Sequence, residues 1–393
     1  MRSSVVILAI AFGLLGGLFS SAWMNGMVDQ RVQDTFDLES GHIQMHHPKY
    51  PENEEVKYTI ADVEGKLSRL RENTEVKGVT RRIRVIGMAA TANKNMGVSI
   101  LGIDPEAEKT VFALYKKIDT SMGSFFAEDK RNQILISKAL AAELKAKVKS
   151  KVVLTFQDYN GEITGAAFKV VGIYKTDNTP WDKTHVFVRN RDLIRVLEIP
   201  EDQAHEIVIR IGSFEDAPRI AQTLGASFPD LLVQDWEELS PYVKLMSGYM
   251  DTVMALFMVI ILGALGFGIV NTMLMVVLER TKELGMLMAI GMTRIRIFLM
   301  ILYETVFLAL VGAVVGEILS VLVIRYFGRV GIDLTNYAEG MESVGYSAMT
   351  YPYLEPYRYL QITVLVFITA IVASIYPALK ALKLEPAEAI RTL

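Results

Sequence analysis

The sequence predicts a membrane α-helical protein, with four transmembrane helices, joined to a large α+β extracytoplasmic domain. Three observations carry that reading. Hydrophobic residues make up 51% of the 393 positions and the mean hydropathy is +0.29, more apolar than a water-soluble chain requires. Charged residues nevertheless reach 22%, close to a soluble average, so a water-exposed part must accompany the spans. The apolar excess is concentrated in four runs, and between the first and second lies a long polar stretch from about residue 25 to 250.

A helix rises 1.5 Å per residue, so crossing about 30 Å of hydrocarbon takes roughly 20 apolar residues. Residues 5–23, 253–277, 297–324 and 360–379 meet that requirement. The first run also carries Arg2 ahead of it and Ser20-Ser21-Ala22 near its end, a pattern shared with cleavable signal peptides. A span and a signal peptide both deliver the long polar stretch to the outside. The segment 279–296 carries Arg280, Lys282, Arg294 and Arg296, and the C-terminal tail carries Lys380, Lys383 and Arg391. Basic residues in short loops mark the cytoplasmic side. Both termini are therefore expected inside, with residues 25–250 and the loop 325–359 outside. The resulting plan is a first span within 1–24, an external domain over 25–250, and a membrane domain over 251–393 with three further spans.

The external stretch reads as strands alternating with short helices. Residues 82–89, 98–103, 134–136, 152–159, 167–174, 184–188, 206–211 and 231–233 carry strand-like patterns. Ser137 is a good N-cap for a helix through 147, and further helices begin near Asp192, Asp216 and Asp235. Asn160-Gly161 is a strong hairpin signal, although its second arm starts late enough to suggest a longer ladder or a bulge.

Several function classes are excluded or weakened. A net charge of -3 argues against a nucleic-acid partner, and the absence of cysteine excludes thiolate catalysis and cysteine-ligated metals. No G-x-x-x-x-G-K-[ST] occurs, so ATP is not cradled here by a P-loop. Among the five histidines, His42, His46 and His47 cluster, and a solvated strand turning at Pro48 accounts for them as well as a metal does. His205-Glu206 lacks the second histidine of a zinc-protease motif. No catalytic constellation, metal site or cofactor is expected on this chain.

The membrane part carries more specific signals. Gly13 and Gly17 in the first run, and Gly312 and Gly316 in the third, have the four-residue spacing that lets helix backbones approach. Gly263-x-x-Gly266-x-Gly268 lies inside the second run, where close packing explains it better than nucleotide binding. Glu304 and Glu317 fall within the third run, where an ionised acid near the bilayer centre costs about 2.5–3.5 kcal/mol on insertion scales; both are expected to face protein or water, Glu304 with a partner on another helix or a local proton, while reaching the interface accounts for Glu317 equally well. Between the second and third runs, Leu284, Leu287 and Met288 recur at helical spacing, Gly291 can end the helix and Thr293 can cap the next. This short amphipathic helix fits an interfacial turn and a docking element equally well on physics alone.

The segment Glu279-Arg280-x-x-Glu283-x-Gly285-x-Leu287-Met288-Ala289-x-Gly291-x-Thr293-Arg294 resembles the motif between the second and third spans of FtsX-like ABC transporter permeases. The tail Pro377-x-x-x-Ala381-x-x-x-x-Pro386-x-Glu388-Ala389-Ile390-Arg391 is similar to the closing pattern of that family. Leu101-Gly102-Ile103-Asp104-Pro105, Phe168-Lys169-Val170-Val171-Gly172-Ile173-Tyr174 and Asp235-Trp236 look like the external domain of its lipoprotein-releasing LolC/LolE-type members, which share a MacB-like membrane architecture. Met288 departs from the family, standing where a basic residue is usual, and the chain begins almost at the membrane without the common basic lead-in.

The resemblance implies a bacterial inner-membrane permease. ABC ATPase subunits, using ATP and Mg, would contact Glu279, Arg280, Glu283, Gly285, Leu287, Met288, Ala289, Gly291 and Arg294, and a second permease chain, identical or paralogous, would complete the assembly. It implies no enzymatic activity in this chain, and mechanical transmission to the external domain. The implied cargo is a lipid-anchored protein passed to a periplasmic carrier. Export of a peptide, drug or other periplasmic substrate in the MacB manner, and regulation of a cell-wall enzyme without transport, are the alternatives.

Overall fold

The computed structural model describes residues 2–127 and 130–382. By internal contacts the chain forms two compact units. One takes in the described parts of Met1–Asp29, Ser247–Leu334 and Met349–Leu393, and the other Gln30–Met246 with Thr335–Ala348.

The first unit is built from α1 (Arg2–Asp34), α2 (Pro241–Glu279), α3 (Thr281–Ala289), α4 (Arg294–Val330) and α5 (Pro356–Ala381). Four of its helices are long and apolar enough to cross a membrane. Their core is a stripe on each helix: Ile10, Leu14 and Leu18 of α1, Ile269 and Met273 of α2, Ile297 and Ile301 of α4, and Val366 and Ala370 of α5. The opposite faces leave residues such as Phe267, Phe307 and Leu360 exposed, as a lipid-facing surface requires. The glycine pairs allow the close approach. A Cβ on Gly312 would sit 2.9 Å from Ile10 Cβ and 3.0 Å from the Ile7 carbonyl, and one on Gly316 would sit 2.8 Å from the Ala11 carbonyl. Gly13 lies against Leu265, and Gly17 makes ordinary contacts with Met258 and Ile362. The first run is thus a packed member of the bundle, with α1 continuing unbroken through Ser20, Ser21 and Ala22.

In the second unit the strands are β1 (Ile43–His46), β2 (Val76–Ala90), β3 (Asn95–Ile103), β4 (Ile118–Gly123), β5 (Gln133–Ser137), β6 (Lys151–Gln157), β7 (Ile163–Tyr174), β8 (His185–Arg189), β9 (Glu206–Ile211) and β10 (Leu232–Asp235). They form one mixed sheet in the order β10-β1-β9-β2-β3-β8-β5-β7-β4, with β6 pairing both β2 and β7. The β2-β3-β8-β5-β7-β6 path therefore closes on itself. Its interior holds Ile83, Val85, Ile100, Ile134, Ile136, Leu154, Phe156, Phe168, Val170 and Val186. Alternation along β6, buried at Val152, Leu154 and Phe156 and exposed between them, is the period-two pattern of a strand with one wet face.

Local chemistry fixes the helix starts. The Ser137 hydroxyl accepts from the Leu140 amide at the head of Lys138–Leu144, and the Asp235 carboxylate accepts from the amides of Glu237 and Glu238 at the head of Trp236–Leu239. The hairpin at Asn160-Gly161 closes through residues 158–162, with Gly161 at φ 85°, and its ladder runs without a bulge from Gln157↔Ile163 to Lys151↔Lys169. The irregularity falls instead between β5 and β7, at Ile134/Leu135.

Candidate functional site: the segment between the second and third spans

Residues 279–296 fold as expected in outline. α3 occupies Thr281–Ala289, and Gly291 reverses the chain at φ 102° before α4. Thr293 stands at the N-cap position of α4 but makes no side-chain cap bond. Leu284 is buried in the core of the bundle and Gly285 is also buried, while Leu287 and Met288 are half-buried. Met288 therefore packs where a basic side chain would lose part of its hydration, which gives the departure at this position a physical reason. Ala289 is exposed. Gly285 and Ala289, four residues apart, therefore differ in exposure: Gly285 is buried and Ala289 is open.

The outward face is made by Lys282, Glu283, Met286, Ala289 and Ile290, continued by Arg294, Ile295 and Arg296. Ile290 is 85% and Ile295 71% exposed, unusual for large aliphatic side chains in a polar turn. The 282, 286, 290 spacing that lines them up was available in the sequence but was masked by the apolar pattern on the other side of the helix.

Glu304 is drawn toward this segment. The Arg280 Nη1 donates to both Glu304 oxygens at 3.0 Å, and Arg280 Nε lies 3.2 Å from Glu283 Oε2. Arg280 sits at the junction of α2 and α3, and Glu304 three turns into α4, so one guanidinium joins three helices. Together with Met273, Leu284, Leu287 and Met300 they line a cleft of about 210 Å³. Glu279 and Glu317 are not part of this cleft; Glu279 is exposed and Glu317 half-buried on α4. Of the tail motif, Pro377 and Ala381 belong to α5, while Pro386, Glu388, Ala389, Ile390 and Arg391 lie outside the described residues.

The histidine cluster needs a correction. β1 is not solvated: all four of its residues are buried, and it lies between β9 and β10. The His42 Nδ1 accepts from the Ile211 amide, and His46 pairs with Gln44 and stacks on Tyr50, which stacks on His205. Burial holds His42 at a pKa of about 4, helped by the nearby Arg210 charge, and burial likewise lowers His46 and His205. These are neutral rings inside a core. His185, on β8, is lowered to about 4 by burial and stacks on Trp181. Asp182 is raised to about 6 by burial despite accepting from the Thr176 amide and hydroxyl. The fully buried Arg82–Glu108 pair, 2.5 Å apart with Arg82 lying over the Phe112 ring, fixes β2 to the helix Pro105–Val111.

Residues 3–227 match the MacB-like periplasmic core domain, and residues 255–386 match the FtsX-like permease C-terminal domain. The chain is 21% identical over 344 residues to the lipoprotein-releasing system transmembrane protein LolE of Haemophilus influenzae, covering 82% of this chain and 79% of that protein. It is 23% identical over 321 residues to the corresponding protein LolC of Neisseria meningitidis, covering 77% and 75%. The crystallised periplasmic region of MacB from Actinobacillus actinomycetemcomitans aligns over 55% of this chain and 98% of its own, with a TM-score of 0.36 at 10% identity.

Proposed function

Because the chain belongs to the permeases that combine a MacB-like periplasmic core domain with an FtsX-like C-terminal domain, we propose that it couples ATP hydrolysis in separate ATPase subunits to movement of its external domain, to release lipid-anchored proteins from the membrane. Two permease chains and two ATPases form the working unit. Closure of the ATPases pushes on the 279–296 segment, the spans rotate, and the external domains close on the cargo.

The observation that carries this reading is the outward face of α3. Exposed Met286 and Ile290, flanked by Lys282 and Arg294, form an apolar patch with a charged rim, the anatomy of a protein interface. The Arg280–Glu304 contact supports transmission, since a push on α3 acts on an arginine already bonded to α4. The likeness over most of the chain to LolE and LolC favours lipidated cargo. The match of the external domain to the MacB-like core favours a second reading, export of another periplasmic substrate.

Affinity purification of the full chain from native membranes separates these readings. An ATPase together with lipid-anchored proteins is the expected result. An ATPase with an adaptor and no lipidated protein overturns the cargo, and the absence of any ATPase overturns the whole proposal.

A further inference from the structure

We infer that the outer wall of β2, β6 and β7 is an interface between the external domains of two copies of this chain, paired antiparallel so that each lysine-rich end meets the acidic end of its partner. The registers Met88↔Thr155 and Gln157↔Ile163 place Ile86, Met88, Val153, Thr155, Ile163 and Ala167 on one surface. None is charged. Ile163 is 80%, Ile86 62%, and Met88 and Val153 45% exposed. Large aliphatic side chains clustered on a wet strand face mark a surface that becomes covered.

The two ends of this wall identify what covers it. At one end Lys151 and Lys169 are directly opposite each other in the β6–β7 ladder, both exposed, and Lys145, Lys147 and Lys149 follow in the adjoining loop. Buried Ala146 and partly buried Val148 alternate with them, so the lysines project outward together. Like charges facing across a ladder destabilise it, and among the described residues none of these five lysines forms an ion pair. Glu143, on the preceding helix, is shared between Lys94 and Lys183. At the other end, Glu54, Glu55 and Asp158 with Lys57 line a cavity of about 520 Å³ beside Ile86 and Ile163; Glu55 pairs with Lys57 at 2.6 Å, Asp158 is buried and accepts from the Asn160 and Glu162 amides, and Glu162 is exposed next to it, so acids still outnumber bases here. Arg84 lies between Glu54 at 3.9 Å and buried Glu206 at 3.6 Å, so these three groups together leave one negative charge at this end.

A partner that satisfies both ends must carry the same neutral wall with its charges reversed in direction. A second copy does so when rotated about an axis that crosses the strands. A membrane surface satisfies only the lysine end, and the acidic end opposes it. On such an axis through the middle register, Met88 meets Met88 and Thr155 meets Thr155 of the two copies, as an isologous contact requires. The inference rests on the two-chain assembly proposed above; ATPase capture is scored separately, so loss of this contact with ATPase retained refutes the surface and not the assembly.

The chain has no cysteine, so single substitutions report cleanly. In membranes carrying the full chain, Thr155→Cys treated with a short bismaleimide should give at least ten-fold more cross-linked dimer than Thr223→Cys, an exposed position off the wall. Lys149→Glu with Lys151→Glu should lower the Thr155→Cys dimer about ten-fold, and adding Glu55→Lys with Glu162→Lys to the same chain should restore it. A Thr155→Cys dimer no stronger than the control overturns the interface, whether the site is then open to a water-soluble maleimide or shielded by lipid or another protein. Failure of the reversed pair to rescue overturns the antiparallel arrangement.

Discussion

Replacing Gly316 by alanine tests the packing of the membrane unit at one atom. The added Cβ would lie 2.8 Å from the Ala11 carbonyl oxygen, 2.9 Å from Ala11 Cα and 3.1 Å from Leu14 Cβ. Two of those neighbours are backbone, so no rotamer change relieves the clash and α1 must move away from α4. Overpacking of this kind costs about 1–3 kcal/mol. The same substitution at Gly312 meets Ile10 Cβ at 2.9 Å and the Ile7 carbonyl at 3.0 Å, on the same helix pair. The double variant should therefore be less destabilised than the sum of the two, because one outward shift of α1 relieves both clashes. Gly17, with nothing closer than 3.7 Å, is the internal control, and Gly17→Ala should change little. Thermal midpoints in detergent, followed by helix content, measure all four proteins. Gly316→Ala with the midpoint of the parent, or Gly17→Ala as damaging as Gly316→Ala, would refute this account of the bundle.

Glu304→Gln keeps the shape but removes the charge held by Arg280. Assembly should persist, while ATP hydrolysis by the assembled complex should become uncoupled from cargo release; unaltered coupling excludes a role for the carboxylate. Gly285→Trp should disrupt folding of the permease itself, since Gly285 is buried, whereas Ala289→Trp should leave insertion intact and block ATPase binding; the reverse order would show that the helix faces are assigned wrongly. The fragment 30–246 contains the whole ten-stranded sheet and should unfold cooperatively in water, losing from the loop 335–348 the Lys175–Glu342 pair among its contacts. Its pH dependence has a defined sign. His42 and His185 stay neutral in the fold down to about pH 4, so their contribution is complete above about 6.5 and is lost as pH falls toward 4, at about 1.4 kcal/mol per pH unit for each. Asp182, raised to about 6, acts oppositely, its contribution growing as pH falls from 6 toward 3.8. The fragment should lose stability between pH 6 and 4, and Asp182→Asn should make the loss steeper; a midpoint rising over that interval would contradict the burial of the histidines.

Much of the external fold was legible because its strands alternate. β6 reads buried and exposed in turn, and the caps at Ser137 and Asp235 form as their residue types demand. β1 was not legible. His42, Gln44 and His46 look like a wet edge, yet each side chain finds at least one internal partner: His42 the Ile211 amide, Gln44 the Ser40 carbonyl, and His46 the Gln44 side chain. Polarity in sequence measures transfer to water, and cannot see an internal hydrogen bond that offsets burial. β4 was missed for a related reason, since it pairs with β7 only at Ile118↔Tyr174 and Gly123↔Gly172 and Asp119, Thr120 and Ser121 between them are polar. The end of α1 was also hidden. Apolarity stops near Trp23, but the helix continues to Asp34, where Arg31 is buried and bonded to Glu39. In the segment between the second and third spans, the motif located the site, while the burial of Gly285 and the Arg280–Glu304 contact needed the third dimension. That contact joins residues 24 apart, and nothing in either local pattern names the other.

The claim on which the functional account depends is that the outward face of α3 meets an ATPase. A cysteine at Ile290, the most exposed aliphatic residue of that turn, can be introduced into the cysteine-free chain and treated with a short bismaleimide in native membranes. The account predicts one dominant cross-linked partner, an ATPase subunit, whose yield changes when a non-hydrolysable ATP analogue is added and which is absent when the cysteine is placed instead at Leu360, on the lipid-facing side of α5. Equal labelling of Ile290→Cys and Leu360→Cys by lipid-soluble maleimides, with no ATPase captured at Ile290, would contradict it.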